Sequence, residues 1–328
     1  MQNVLRYLGI CEEISFAESP APAAIIHMDI ASASLDVPGD TEMIYGGGLS
    51  RGPHIHRPGF YAPSGDIVYA FDIRTIGFLL KWALGGYSFA TGSPLNTHTI
   101  YGSSKNILDS FCARVGKDLF EHVFSGCVIN TLTLKVEGAY CELTASIMAA
   151  KDAKATLKAL ADLLLPTEYP LAFHEVTAKI ATVDQSAKIK SLNIEISNNL
   201  SIESGKTIGS RYPRLIRAGE RTVTVSKTLM FDETDELERY WGGASEPSIL
   251  GGTEFALEIN FSAGVDGSLK IDLPRFIYTA MGQKPSGRDE QEQTTSGRAF
   301  LPEEIVEETD TDIVATLQNK EDSMELGS

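Results

Sequence analysis

The stretch GSRYPRLIRAGERTVTV, residues 209–225, decides how this chain is read. Its head is small, basic and punctuated by Pro and Gly, as a loop is. Its end alternates Thr with Val. A period of two puts Val on one face and Thr on the other, which is the pattern of a half-buried strand. A similar phrase stands earlier, LSRGPHIHRPGFYAPSGDIVYAF from Leu49 to Phe71.

The two phrases sit inside two matching halves. In the first, a strand near Ser34–Val37 precedes a Gly-rich loop and Ser50-Arg51-Gly52-Pro53. Gly65 then leads a strand, Asp66–Asp72, and a helix reaches Trp82 and Gly85-Gly86. In the second, the strand Leu192–Ile196 precedes a polar loop and Ser210-Arg211-Tyr212-Pro213. Gly219 leads the strand Arg221–Phe231, and an acidic helical piece, Glu233–Tyr240, reaches Trp241 and Gly242-Gly243. The only two tryptophans thus fall at matching places. Each half closes with two alternating strands: Thr131–Val136 and Cys141–Ile147, then Phe255–Phe261 and Ser268–Leu273. This order favours a tandem duplication of an antiparallel β unit.

Helical signals are few. Thr75–Leu84 carries Ile76, Leu79, Leu80 and Ala83 at helical spacing and stops at Gly85. Lys151–Leu165 (KDAKATLKALADLLL) is rich in Ala, Leu and Lys, and Pro166 ends it. The spacing predicts a helix there, and the domain junction is placed on it. Gln283–Gly297 has almost nothing to bury. The acidic stretch after it is expected to be disordered or ordered only against a partner.

The formal net charge is −16 and the pI about 4.8, which argues against a surface built to wrap nucleic acid. From Asp289 to Ser328 there are 12 acidic and 2 basic residues, so the last segment holds most of the excess. Cys11, Cys112, Cys127 and Cys141 form no C-x-x-C pair and read as free, buried thiols from a reducing compartment. No apolar run reaches membrane-spanning length, and the N-terminus does not read as a signal peptide.

Several segments, in their order, resemble phage tail tube proteins. They are Arg6-Tyr7-Leu8-Gly9-Ile10 with Glu12-Glu13 and Phe16, then RPGFYAPSGDIVYAFDIRTIGFLLKWALGG (Arg57–Gly86). FEHVFSGCVINTLTLKV (Phe120–Val136) and Asn198–Phe231 come after these. The resemblance covers most of residues 5–275. It implies a mainly β chain with two tandem tail-tube-like sandwich or barrel domains and a few short helices. The expected division is an arm at 1–19, a first domain at 20–150, a connecting helix at 151–168, a second domain at 169–282 and an acidic extension at 283–328.

By the same resemblance, the chain is a structural virion protein of a long, non-contractile tail, made in the host cytoplasm. Its partners are itself, in trimeric or hexameric rings stacked into a tube, and the tape measure, tip and terminator proteins. Viral DNA passes through the lumen without specific binding. Two ring units per chain imply three chains per pseudo-hexamer. Arginine favours interfaces through its forked donor geometry, so Arg51, Arg57, Arg211 and Arg214 are expected to be assembly contacts on the loops. The alternative is a carbohydrate- or receptor-binding β-sandwich of a virion surface with Tyr45, Phe60 and Tyr61 as its aromatic platform.

Signals for catalysis, cofactor or metal are rejected. Ser204-Gly205-Lys206-Thr207 ends like a phosphate-binding loop, but Leu200 stands where the pattern needs Gly. His54 and His56 have no third ligand at a suitable spacing. Asp118, Glu121 and His122 have no nucleophile beside them. A hydrolase reading therefore lacks its constellation, and neither a cofactor nor a membrane partner is expected.

Overall fold

The computed structural model describes residues 6–18, 25–37, 42–45, 55–283 and 291–324. Strands β1 (Leu8–Glu12), β2 (Ile26–Met28), β3 (Ser32–Ala33), β4 (Glu42–Tyr45), β5 (Ile55–Pro58) and β6 (Ser64–Ala70) precede helix α1 (Ile76–Leu84). Then come β7 (Gly85–Ala90), β8 (Asn96–Gly102), β9 (Phe111–Gly116), β10 (Glu121–Val136), β11 (Cys141–Met148) and β12 (Lys151–Ala155). The second half holds β13 (Val176–Ile180), β14 (Val183–Asp184), β15 (Ile189–Ser197), β16 (Thr222–Met230), helix α2 (Asp235–Trp241), β17 (Phe255–Ser262) and β18 (Ser268–Gly282). The chain ends with β19 (Glu292–Ala299) and β20 (Val314–Asn319).

The ladders are antiparallel throughout. One long run of neighbours reads β3-β6-β11-β10-β15-β16-β19-β18-β17-β13-β14. Two branches leave it. From β10, one leads through β9 to β1 and β2, with β12 on the other edge of β10. From β18, the other leads through β20 to β8 and β7. The β4–β5 hairpin stands apart.

Both branch points arise from local sequence. In β10 the register shifts between Phe124 and Cys127, and Gly126 between them has φ +67°. Its N–H donates to Glu13 Oε1 at 2.8 Å, and a Cβ there would meet Ala150 Cβ at 2.7 Å. Only glycine takes that conformation without strain. The bulge lets the first part of β10 pair with β9 and β12, and the last part with β11 and β15. In β18, Pro274 offers no N–H, and there the partners change: β20 faces Ser268–Asp272 and β19 faces Phe276–Gly282.

The core is continuous across the two halves. One cluster of buried apolar side chains runs from Leu8 to Met324, and Phe71 meets Phe261 edge-on at 5.7 Å. All nine residues of α1 are buried, and it packs on β10 and β8. Asp72 fixes the turn that leads into it, accepting the N–H groups of Arg74 and Thr75 at 2.8 Å and the Thr75 hydroxyl at 2.7 Å. Gly85, with φ +80°, closes its end by donating to Lys81 O. Gly242 does the same for α2 with φ +69°, so the paired Gly-Gly signals mark two left-handed helix caps. The tryptophans differ, however: Trp82 is fully buried and stacked on Phe111 at 4.4 Å, while Trp241 is half-buried.

Two sequence expectations are corrected. Residues 151–165 are not a helix: Lys151–Ala155 pair with Glu121–Ser125 of β10, and only Leu160–Asp162 make a single 3-10 turn. An open strand edge overrode the Ala/Leu propensity, and Leu160 and Leu164 lie exposed. Nor is the acidic end unstructured. Gln293, Thr295, Gly297 and Ala299 of β19 point inward between β16 and β18, and Ala315, Leu317 and Asn319 of β20 are buried. The exposed acids mask a period of two in this segment.

Candidate assembly surface

The loops that carry the repeated phrase leave the same end of the sheet. Ser64 opens β6 opposite Met148, and Thr222 opens β16 opposite Ser197, which itself faces Thr131 of β10. The loops 59–63 and 199–221 therefore come together, and they touch. Tyr61 N–H donates to Arg211 O at 2.9 Å, and Arg211 Nε donates to Gly59 O at 2.8 Å. The Arg211 guanidinium lies over the Tyr61 ring at 5.0 Å, and Tyr212 meets Tyr61 edge-on at 5.8 Å. Lys206 lies over Phe60 at 4.6 Å and Lys151 near Tyr212 at 6.0 Å. Cations above aromatic faces are attracted by the ring quadrupole. Burial, then the neighbouring Asp152 carboxylate, push the Tyr61 phenol up to about 12.

The four expected arginines take different places. Arg51 lies outside the described residues. Arg57 is exposed on β5 opposite Met43. Arg211 holds the two loops together within the chain. Arg214 is exposed, and its backbone N–H donates to Gly205 O at 3.0 Å. The sequence gives Lys206, Tyr212, Lys151 and Asp152 no role in this cluster. Tyr212 stands inside the Ser-Arg-x-Pro motif itself, which was the available signal.

The rejected site signals resolve as structure. Glu203–Gly205 is a 3-10 turn, and a Cβ on Gly205 would lie 2.0 Å from Leu215 O, so packing rather than phosphate explains the glycine. Glu121 is buried, bonded to Tyr7 Oη and Arg114 at 3.3 Å. His122 faces the other side of β10, with Nε2 2.8 Å from Asp152, and Asp118 pairs with Arg6 at 3.2 Å. The three therefore do not converge. Among the described residues no three His, Cys, Asp or Glu side chains gather as a metal site would, and no helix is long and apolar enough to cross a membrane. His54 lies outside the described residues, as does Lys284–Glu290. Phe60 and Tyr61 are half-buried against Lys206 and Tyr212 instead of forming an open platform.

A family model for the phage tail tube protein matches residues 5–299 of the 328. The chain belongs to the phage tail tube protein family. The match takes in everything from β1 to β19, and the loop cluster with it; β20 and its connector lie beyond it. No curated protein matches the chain. Phage tail tube proteins are structural components of the virion tail, and the mainly β architecture agrees with that membership.

Proposed function

We propose that this tail tube protein self-assembles into stacked rings, three chains to a ring, around a bore that passes DNA. The observation that carries the reading is the junction between its halves. The first half orders its strands β3-β6-β11-β10. The second orders them β15-β16-β19-β18-β17, the same arrangement with β19 inserted. β10 and β15 join these units edge to edge over Thr131–Val136 and Ser197–Leu192. A chain that joins two kindred units by strand pairing supplies a template for the next joint, between chains, which would leave the ring no open edge. The outer strands at the two ends of the run, β3 and the β13–β14 hairpin, are where neighbours would meet.

The exposed face of the run suits a bore. Rows of facing residues cross it, such as Thr144, Thr133, Glu195, Thr224 and Arg298, and Lys135, Asn193, Ser226 and Ser296. Hydroxyls dominate. Lys135 sits 3.0 Å from Glu137 and Arg298 pairs with Glu220, so their charge is already matched. Such a face grips phosphate weakly, because affinity for duplex DNA grows with the number of unpaired cations. Tape measure, tip and terminator proteins would meet the tube at its bore and ends.

Electron microscopy of the concentrated protein tests the reading. Hollow tubes or rings with threefold symmetry are expected. A monomer that stays dispersed, or one that binds glycans on an array, would overturn it.

A further inference from the structure

The connector between β19 and β20 is far longer than the fold around it requires. Both strands lie on the same edge of β18 and run the same way. Ala299 ends β19 opposite Phe276, and Val314 begins β20 opposite Asp272. Those two points are four residues apart on β18, about 13 Å along a strand. Roughly three residues would carry the chain straight on, yet it uses residues 300–313, which could span up to about 46 Å when extended. The excursion is mostly exposed, including the apolar Leu301, Ile305 and Val306.

The segment beyond the excursion is held firmly. Arg221 grips Asp312 through Nε and Nη2 at 2.5–3.2 Å. Ile313, Ala315 and Leu317 are fully buried. Asn319 Oδ1 lies 3.0 Å from His98 Nε2, and Asn319 Nδ2 donates to Ile73 O at 3.1 Å. Lys81 Nζ donates to Met324 O at 3.1 Å, and Met324 N–H donates to Tyr87 Oη at 3.0 Å. The slot has one wall from each half, β8 and β18. The tether itself, beyond the matched family region, is fastened at its start, where Phe300 N–H donates to Arg275 O at 2.8 Å and Arg275 donates to Leu301 O at 3.3 Å, and by Tyr101 Oη donating to Glu308 at 2.8 Å. A well-fitted strand and its slot, joined through a long and mostly exposed tether with so few holds, are separable parts.

We propose that residues 311–324 are an exchangeable arm, and that in the assembled protein the slot between β8 and β18 takes this segment from a second copy of the chain. The inference rests on the tube reading. Strand exchange replaces every contact by an identical one, so its cost is low once copies lie within reach. The surplus tether supplies that reach.

Thr99 and Thr316 face each other in the β8–β20 ladder and are both half-buried, on the side away from the core. Thr99→Cys and Thr316→Cys chains are mixed, assembled and oxidised. The double variant, oxidised when dilute, proves that the pair can bridge, and the wild type reports on the native cysteines. A band at twice the chain mass in the mixture is expected. Bridging confined to the double variant, within one chain, would overturn the exchange. Deleting 303–309 leaves enough tether for the arm to close within its own chain and too little to reach another. That variant should fold, bridge internally and lose assembly at least tenfold; undiminished assembly counts against the proposal. Where microscopy shows no tubes, the same crosslink is read on the concentrated protein. Missing tubes then speak against the ring reading, and a missing interchain band against the arm.

Discussion

At the scale of single residues, the arginines separate into two kinds. Arg211 is committed inside the chain, to Gly59 O and the Tyr61 ring, so reversing it to Glu disturbs the loop pair as well as any neighbour. Arg57 and Arg214 offer exposed side chains. Arg57→Glu and Arg214→Glu should leave the melting temperature within a degree or two, as surface changes do, and should slow tube formation. Wild-type assembly kinetics by light scattering would remove both positions from the interface. A second residue-scale expectation concerns acid. His27 is buried; its Nδ1 accepts the Leu164 N–H at 3.0 Å, which fixes the neutral ring. Burial, then Lys158 and Arg114, lower its pKa to about 4. Between pH 6.5 and 4 the unfolded chain binds a proton there that the folded chain refuses, so stability falls as the pH falls through that window. His27→Phe should be less stable at pH 7.5 by about 1 kcal/mol, the net worth of the lost hydrogen bond from the Leu164 N–H, which water can partly replace. Its stability should also fall less steeply with acid. Equal losses of unfolding free energy between pH 7 and 4.5 in the wild type and the variant, by denaturant titration, would refute the assignment.

At the scale of elements, what could be read in the sequence was whatever local chemistry dictates. α1, β16, β17 and the hairpin β10–β11 were legible because their periods are unbroken and glycine marks the ends. Gly85→Ala tests that logic. Its φ of +80° costs an alanine about 1–2 kcal/mol. Its Cβ would also meet Leu108 Cδ2 at 2.9 Å. A lowered urea midpoint with an unchanged slope is expected, and an unchanged midpoint would show that the cap is dispensable. β12, β19 and β20 were not legible, for a common reason. Each is a strand only because a distant edge is open to it: β10 for β12, β16 and β18 for β19, β18 and β8 for β20. Local propensity says nothing about such an edge. The loop cluster was half legible. The repeat exposed Arg211 and Tyr61, but only the tertiary fold brings Lys151 and Lys206 to them.

At the scale of the whole molecule, the two halves of the sequence are bound more closely than a tandem array needs. They share the β10–β15 ladder, the slot filled by β20, and one apolar core in which Phe71 touches Phe261. Between them runs a strap, residues 156–170, with Leu160, Leu164 and Tyr169 exposed. Tyr7 Oη accepts the Lys158 N–H, and the Leu164 carbonyl accepts the His27 N–H. The strap is covalently central and contributes little packing. A protease that favours leucine should therefore cut it first, since exposed backbone with few buried contacts opens at low cost. The two fragments should then co-elute at the mass of the intact chain and melt in one transition. Neither half expressed alone should fold, because each would bare the edge that the other covers. Fragments that part on the column, or two separate melts, would mean that each half carries its own complete core. In that case the joint between β10 and β15 could not serve as the pattern for the joints between chains.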